Sequence, residues 1–161
     1  MLLVIDMQKD YPATELVVNE VIKEVRKARS KNEWIFFLQY DGCGPTMYRL
    51  TRELKGYTKT RKLTKIIDGG AYAVMWGLTY SDNNLNGTKA PTKISHIKVC
   101  GVNTNACVIG TVYGLRHLNC KITVLSNACA NIFDGKSDDY NQKQHTEALI
   151  RMKRWRNVNV R

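Results

Sequence analysis

The 161-residue chain reads as an α/β protein built on a parallel sheet, and three observations say so. Short unbroken apolar runs, Leu2-Leu3-Val4-Ile5 and Trp34-Ile35-Phe36-Phe37-Leu38, are the pattern of strands buried on both faces. Amphipathic helical stretches follow such runs, and the two kinds of segment alternate along the chain. Alternation at this spacing implies βαβ units with right-handed crossovers.

Taken in order, the first strand ends at Asp6, and a helix follows in which Leu16, Val17, Val21, Val25 and Ala28 recur on one face. Ser30-Lys31-Asn32 breaks it before the second strand at Trp34 to Leu38. Asp41-Gly42-Cys43-Gly44-Pro45 has the composition of a turn, and residues 46–54 are weakly helical. Residues 63–67 form a short strand closed by Asp68-Gly69-Gly70, and residues 71–80 a short helix. Residues 81–90, rich in Asn and Gly, read as an exposed loop. A strand over 94–100, a tight loop over 101–105 and a helix over 106–117 come next. They are followed by a strand over 121–125, a turn at Ser126-Asn127-Ala128-Cys129, a helix over 142–154 and a last strand at Val158 to Val160.

At this length, and 43% hydrophobic, residues 1–161 are expected to make one domain without metal or disulfide staples. The five cysteines are odd in number and lack Cys-x-x-Cys spacing, so free thiols in a reducing cytoplasm are expected. No secretory leader pattern opens the chain, and no apolar run reaches the ~18–20 residues that span a bilayer, so no membrane partner is expected. The net charge of +11 gathers at residues 49–65 and in the tail Arg151, Lys153, Arg154, Arg156 and Arg161. It fits a solvated or assembly face, attraction of an anionic small molecule, or a nucleic acid, although no nucleic-acid-binding module accompanies it.

In open parallel sheets ligands collect beyond the carboxyl ends of the strands. That edge receives Asp6, the 65–70 region and the 101–107 loop. Cys107 falls in the first turn of a predicted helix, where unpaired N–H groups favour a thiolate and can hold an oxyanion; the alternative is a small buried packing residue. Asp6 ends a hydrocarbon strand, an expensive place for a carboxylate unless it is paired, with Asp10 nearby as the alternative for a structural role. Lys65 precedes the double glycine, with Lys62 a rival. A carboxylate that takes and returns the thiol proton, with an ammonium stabilising both anions, is a working set for acyl transfer.

These residues sit in motifs that resemble the isochorismatase-like hydrolases, which include the nicotinamidases. Leu3-Val4-Ile5-Asp6-Met7-Gln8-Lys9-Asp10-Tyr11 resembles their first-strand motif. Lys65-Ile66-Ile67-Asp68-Gly69-Gly70-Ala71-Tyr72 resembles their lysine motif. Gly101-Val102-Asn103-Thr104-Asn105-Ala106-Cys107-Val108, with Thr111 a turn later, resembles their nucleophile loop. The resemblance implies a Rossmann-like three-layer α/β/α sandwich and a catalytic set of Asp6, Lys65 and Cys107. It further implies a cis peptide between Val102 and Asn103, an oxyanion hole from the backbone N–H groups of Asn103 and Cys107, and a homo-oligomer. Gln8, Tyr40, Tyr72 and Trp76 are the candidates to contact a small-molecule substrate.

The chain departs from the family in places. The nicotinamidase Asp-x-His metal motif is replaced by Gln39-Tyr40-Asp41-Gly42-Cys43, and none of His96, His117 or His145 falls there. No metal and no other cofactor is therefore expected, and nicotinamide loses its metal anchor. Asn105 and Asn127 stand where Asp is frequent. A cysteine nucleophile favours hydrolysis of a small amide or related acyl compound. The alternatives are an isochorismatase-type reaction on a small anionic molecule and a catalytically silent protein binding an anionic partner through its basic face.

Overall fold

The computed structural model describes residues 1–79 and 94–161; the loop expected over 81–90, and Tyr80, lie outside the described residues. Its centre is a six-stranded, all-parallel sheet in the order β3-β2-β1-β4-β5-β6. The strands are β1 (Leu2–Ile5), β2 (Ile35–Tyr40), β3 (Thr60–Lys65), β4 (His96–Val102), β5 (Lys121–Ala130) and β6 (Val158–Val160). β1 lies between β2 and β4, with Leu3 opposite Phe36 and Val4 opposite Cys100, and all four of its residues are buried. An unbroken apolar run is what that central position requires.

Side chains alternate across the sheet, which splits the core in two. Leu2, Val4, Ile35, Phe37, Cys100 and Val102 pack under α1 (Ala13–Ser30) and α2 (Tyr48–Thr51). Leu3, Ile5, Phe36, Leu38, Ile97 and Val99 pack under α3 (Ala71–Thr79), α4 (Ile109–Leu115) and α5 (Asp138–Lys153). Helix, sheet and helix make the expected three layers. Val17, Val18, Val21, Ile22 and Val25 form the buried stripe of α1, each stabilising the layer by roughly 1.5–3 kcal/mol. Among the described residues no helix is long and apolar enough to cross a membrane.

Several segments differ from the sequence expectation. β5 runs through the predicted turn at Ser126 to Cys129: its register against β4 moves from Val99–Val124 to Gly101–Cys129, so the extra residues bulge and the strand resumes. The backbone of Arg161 bonds Val124 and Ser126 at the bulge, at 3.0 and 2.6 Å. Helix α5 begins four residues earlier than expected because Ser137 caps it, accepting from the Tyr140 amide at 3.2 Å, with Asp138 and Asp139 in its first turn. The predicted helix after the nucleophile loop is divided into a wide helical turn over Thr104–Val108 and α4.

Candidate active site

Asp6, Lys65 and Cys107 meet at the carboxyl edge of the sheet. Lys65 is the last residue of β3, Asp6 follows β1, and Cys107 lies in the wide turn after β4. Lys65 Nζ is 2.9 Å from Asp6 Oδ2 and 3.2 Å from Cys107 Sγ. It also donates to the Ile67 carbonyl at 3.2 Å and sits 4.2 Å from the centre of the Tyr40 ring.

The local fold explains the convergence. Gly101 adopts φ 125°, and a β-carbon there would fall 2.0 Å from the Ile5 carbonyl oxygen, so β4 passes the end of β1 at a distance only glycine permits. Asp6 itself has φ 48°, a left-handed conformation that Asp tolerates better than most residues and that turns the chain at the strand end. The Val102–Asn103 peptide, which the resemblance singles out, is cis. The following loop is held from both sides. Thr104 Oγ1 donates to the Ala130 carbonyl at 2.9 Å and faces His145 Nδ1 at 2.8 Å, while the Ile132 amide donates to Asn103 Oδ1 at 2.9 Å. Burial holds the His145 imidazole below its ordinary pKa.

Burial dominates the electrostatics. It pushes the Cys107 thiol up to about 12; the Asp6 charge adds to the rise and Lys65 opposes it. The sequence expectation of a favoured thiolate is thus reversed, because the residue is only 4% exposed and its turn is not the first turn of a regular helix. Burial likewise raises the Asp6 carboxyl above its ordinary value, against the pull of the Cys107 thiol and Lys65, with the Asp68 charge adding to the rise. Neither Asp6 oxygen has a hydrogen bond of good geometry, so the ion pair with Lys65 is what offsets the loss of water.

The remaining predicted contacts are placed differently. Tyr40 stacks on Lys65, and its hydroxyl donates to the Ile66 carbonyl at 3.0 Å. Gln8 is 1% exposed and joins the chain at Tyr40 to that at Gly44. Its amide donates to their carbonyls at 2.9 and 2.6 Å and its oxygen accepts from the Tyr40 amide at 2.6 Å. Gln8 therefore builds the site wall. Tyr72 and Trp76 stand on the outer face of α3, which buries Ala71, Val74 and Gly77, and are 76% and 49% exposed. They line a groove of about 450 Å³ with Lys62, Leu63, Thr64 and Ala73, and that lining includes none of Asp6, Lys65 and Cys107.

Two residues near the thiol escaped sequence reasoning. Asp68 Oδ1 accepts from the Cys107 thiol at 3.7 Å; its signal was its place on the loop that carries Lys65, hidden by its resemblance to ordinary turn chemistry. Burial, foremost, raises the Tyr11 phenol above its ordinary pKa, with the neighbouring Cys43 and Asp6 adding to the rise. Cys43 occupies the stretch where the metal motif would be. That stretch offers one exposed carboxylate, Asp41, and one thiol, Cys43, with no imidazole, a donor set that does not fit the Asp-x-His metal site. Among the described residues no three His, Cys, Asp or Glu side chains group to hold one.

The family described as Isochorismatase domain matches residues 1–160 of the chain. The chain belongs to the isochorismatase family. Its fold is similar to that of a nicotinamidase from Staphylococcus aureus, at 18% identity over 99% of this chain and 94% of that one, TM-score 0.72. A nicotinamidase/pyrazinamidase from Bacillus subtilis superposes at TM-score 0.77, with 14% identity over 99% and 97% of the two chains. An isochorismatase from Pseudomonas putida KT2440 gives TM-score 0.68 and 15% identity over 99% and 85%. Among curated proteins none matches the chain. The chain shares the α/β fold of these proteins.

Proposed function

We propose that this isochorismatase-family protein is a cysteine-dependent hydrolase of a small amide or related acyl compound. One observation carries the reading: a single buried ammonium bridges a carboxylate at 2.9 Å and a thiol sulfur at 3.2 Å. In the proposed reaction the Cys107 proton passes to Asp6 as the sulfur bonds the substrate carbonyl carbon. The carbonyl oxygen becomes an oxyanion, held by the backbone N–H groups of Asn103 and Cys107. Asp6 returns its proton to the leaving nitrogen, the C–N bond breaks and a thioester remains. Water then yields a proton to Asp6 and its oxygen to the carbonyl carbon; the C–S bond breaks and Cys107 recovers its proton. Lys65 stays charged throughout, stabilising first the carboxylate and then the thiolate.

The similarity of the fold to a nicotinamidase and a pyrazinamidase/nicotinamidase supports this reading. The test is a screen of small amides for ammonia release beside Cys107→Ala and Cys107→Ser. Both variants should lose turnover on the order of a thousandfold or more while unfolding at the wild-type temperature. Intact mass should show acylation of wild type alone; turnover surviving in Cys107→Ala would end the proposal. A second reading, hydrolysis of a small anionic vinyl ether, is favoured by the net charge of +11. It needs no covalent cysteine step and predicts vinyl-ether hydrolysis that survives in Cys107→Ala, with no ammonia release from amides by either protein.

A further inference from the structure

Asp68 is drawn to the nucleophile by two contacts with α4. Gly69 packs on the Gly110 backbone, where a β-carbon at Gly69 would lie 3.4 Å from the Gly110 oxygen, and the Gly70 amide donates to Thr111 Oγ1 at 2.9 Å. The loop after β3 is therefore docked on the helix that follows Cys107, which leaves Asp68 exposed with Oδ1 3.7 Å from Sγ. Among the described residues no Lys, Arg or His forms an ion pair with it.

The local charges then sum to a value opposite in sign to that of the chain. Asp6 and Lys65 cancel as a pair, the resting thiol is neutral, and Asp68 leaves one negative charge at the mouth of a site in a protein of net charge +11. Lys65 is engaged by the site's own groups: it pairs with the Asp6 charge at 2.9 Å and donates to Cys107 Sγ and the Ile67 carbonyl, each at 3.2 Å.

We infer that the site selects small amides bearing a cationic nitrogen, with Asp68 as the residue that receives the cation. The inference rests on Cys107 as the nucleophile. A charge-assisted N–H to carboxylate bond spans about 2.7–2.9 Å, and a carbonyl poised for attack sits about 3–3.5 Å from the sulfur. With Asp68 Oδ1 3.7 Å from that sulfur, cation and carbonyl lie within about 10 Å of each other, so both belong to one small molecule, of which an α-amino amide is the simplest. Because Asp68 is exposed, water and salt weaken the attraction, and a selectivity of about tenfold is the expected scale.

Two measurements test this. The first compares rates of Cys107 modification by cationic aminoethyl and anionic sulfonatoethyl methanethiosulfonates. It is read by intact mass, with Cys107→Ala as the blank for the other four cysteines. Wild type should react faster with the cation, Asp68→Asn should lower the cation-to-anion ratio about tenfold, and Asp68→Glu should retain it. A wild-type preference for the anion, as net charge alone would give, or a ratio unmoved in Asp68→Asn, overturns the inference. The second compares kcat/KM for an α-amino amide and its deaminated analogue. Their ratio should fall about tenfold in Asp68→Asn, chiefly through KM, and an unchanged ratio also counts against it. If neither amide turns over while the labelling ratio behaves as expected, the amidase reading fails and charge selection by Asp68 stands.

Discussion

Lys65 and Asp6 can be tested as a unit, because the pair is fully enclosed: their side chains are 2% and 0% exposed and their charges 2.9 Å apart. At an effective dielectric constant of roughly 20, unit charges at 2.9 Å attract by about 6 kcal/mol. Removing two ions from water costs several kcal/mol each, so the intact pair contributes little net stability, while removing one partner typically costs about 3–5 kcal/mol. In Lys65→Met the buried carboxyl escapes part of that loss by taking a proton, which places the expected cost near the lower figure, about 3 kcal/mol. Asp6→Asn leaves the ammonium with the Cys107 sulfur, the Ile67 carbonyl and the Tyr40 ring and should cost a similar ~3 kcal/mol. The double variant removes both charges and should cost about 2 kcal/mol, roughly 4 kcal/mol short of the sum of its parts. Urea unfolding of all four proteins at neutral pH, with a shared m-value, measures this. The sign with pH is also fixed. Asp6 has its folded pKa raised, so its contribution is fully present below the unfolded pKa and is lost as pH rises through the folded one; the Lys65→Met deficit should shrink as pH falls toward about 4. Losses that add to within about 0.5 kcal/mol would show that the two groups are not coupled, and the site's electrostatics would need rebuilding.

Gly101→Ala should abolish soluble expression or cost at least ~3 kcal/mol in urea unfolding, since the new methyl would sit 2.0 Å from the Ile5 oxygen; near-wild-type stability would contradict the close approach of β4 to β1. Iodoacetamide modification of Cys107 should keep accelerating to at least about pH 10, where an ordinary thiol of pKa ~8.5 has levelled off; a plateau near that ordinary value would refute the raised pKa. Glu33 is held below its ordinary pKa because Lys98, 2.8 Å away, outweighs the larger single influence of burial. Its contribution is therefore present above the unfolded pKa and lost as pH falls through the folded one. Glu33→Gln should cost about 1 kcal/mol at neutral pH, with the gap to wild type closing below about pH 4 in thermal unfolding.

The layers were legible in the sequence because burial on both faces leaves its own mark: β1 and β2 are unbroken hydrocarbon, and α1 shows a helical stripe against charge. The edges of elements were less so. β3 begins three residues before the apolar signal because Thr60 and Arg61 pair with Ile35 and Phe36 through the backbone, which no side-chain pattern records. The bulge in β5 has the composition of a turn, and only its pairing with β4 and Arg161 shows that the strand continues. Asp6, Lys65 and Cys107 stood out in the sequence because their motifs resemble those of the isochorismatase-like hydrolases, while position alone left each with an ordinary structural alternative; the structure brings the three side chains together. Asp68 and Tyr11 did not stand out, since their relevance depends on a loop docking through Gly69 and Gly70 and on a phenol buried near Asp6 and Cys43.

The expected thiolate failed for a reason that magnitudes decide. A helix terminus supplies about 0.3–1 kcal/mol toward a nearby negative charge. Raising the thiol from 9.0 to about 12 corresponds to about 4 kcal/mol against that charge. Burial wins, even with an ammonium 3.2 Å from the sulfur. In the proposed reaction a free thiolate is then too scarce to wait for substrate, so the proton has to leave as the C–S bond forms. That makes an acceptor within reach of the sulfur a requirement of the first step, and Asp6, itself raised toward proton uptake by the same burial, is matched to the task. Burial raises both groups and Lys65 opposes both rises, so in the proposed reaction the ammonium favours the charge on whichever of the two has given up the proton.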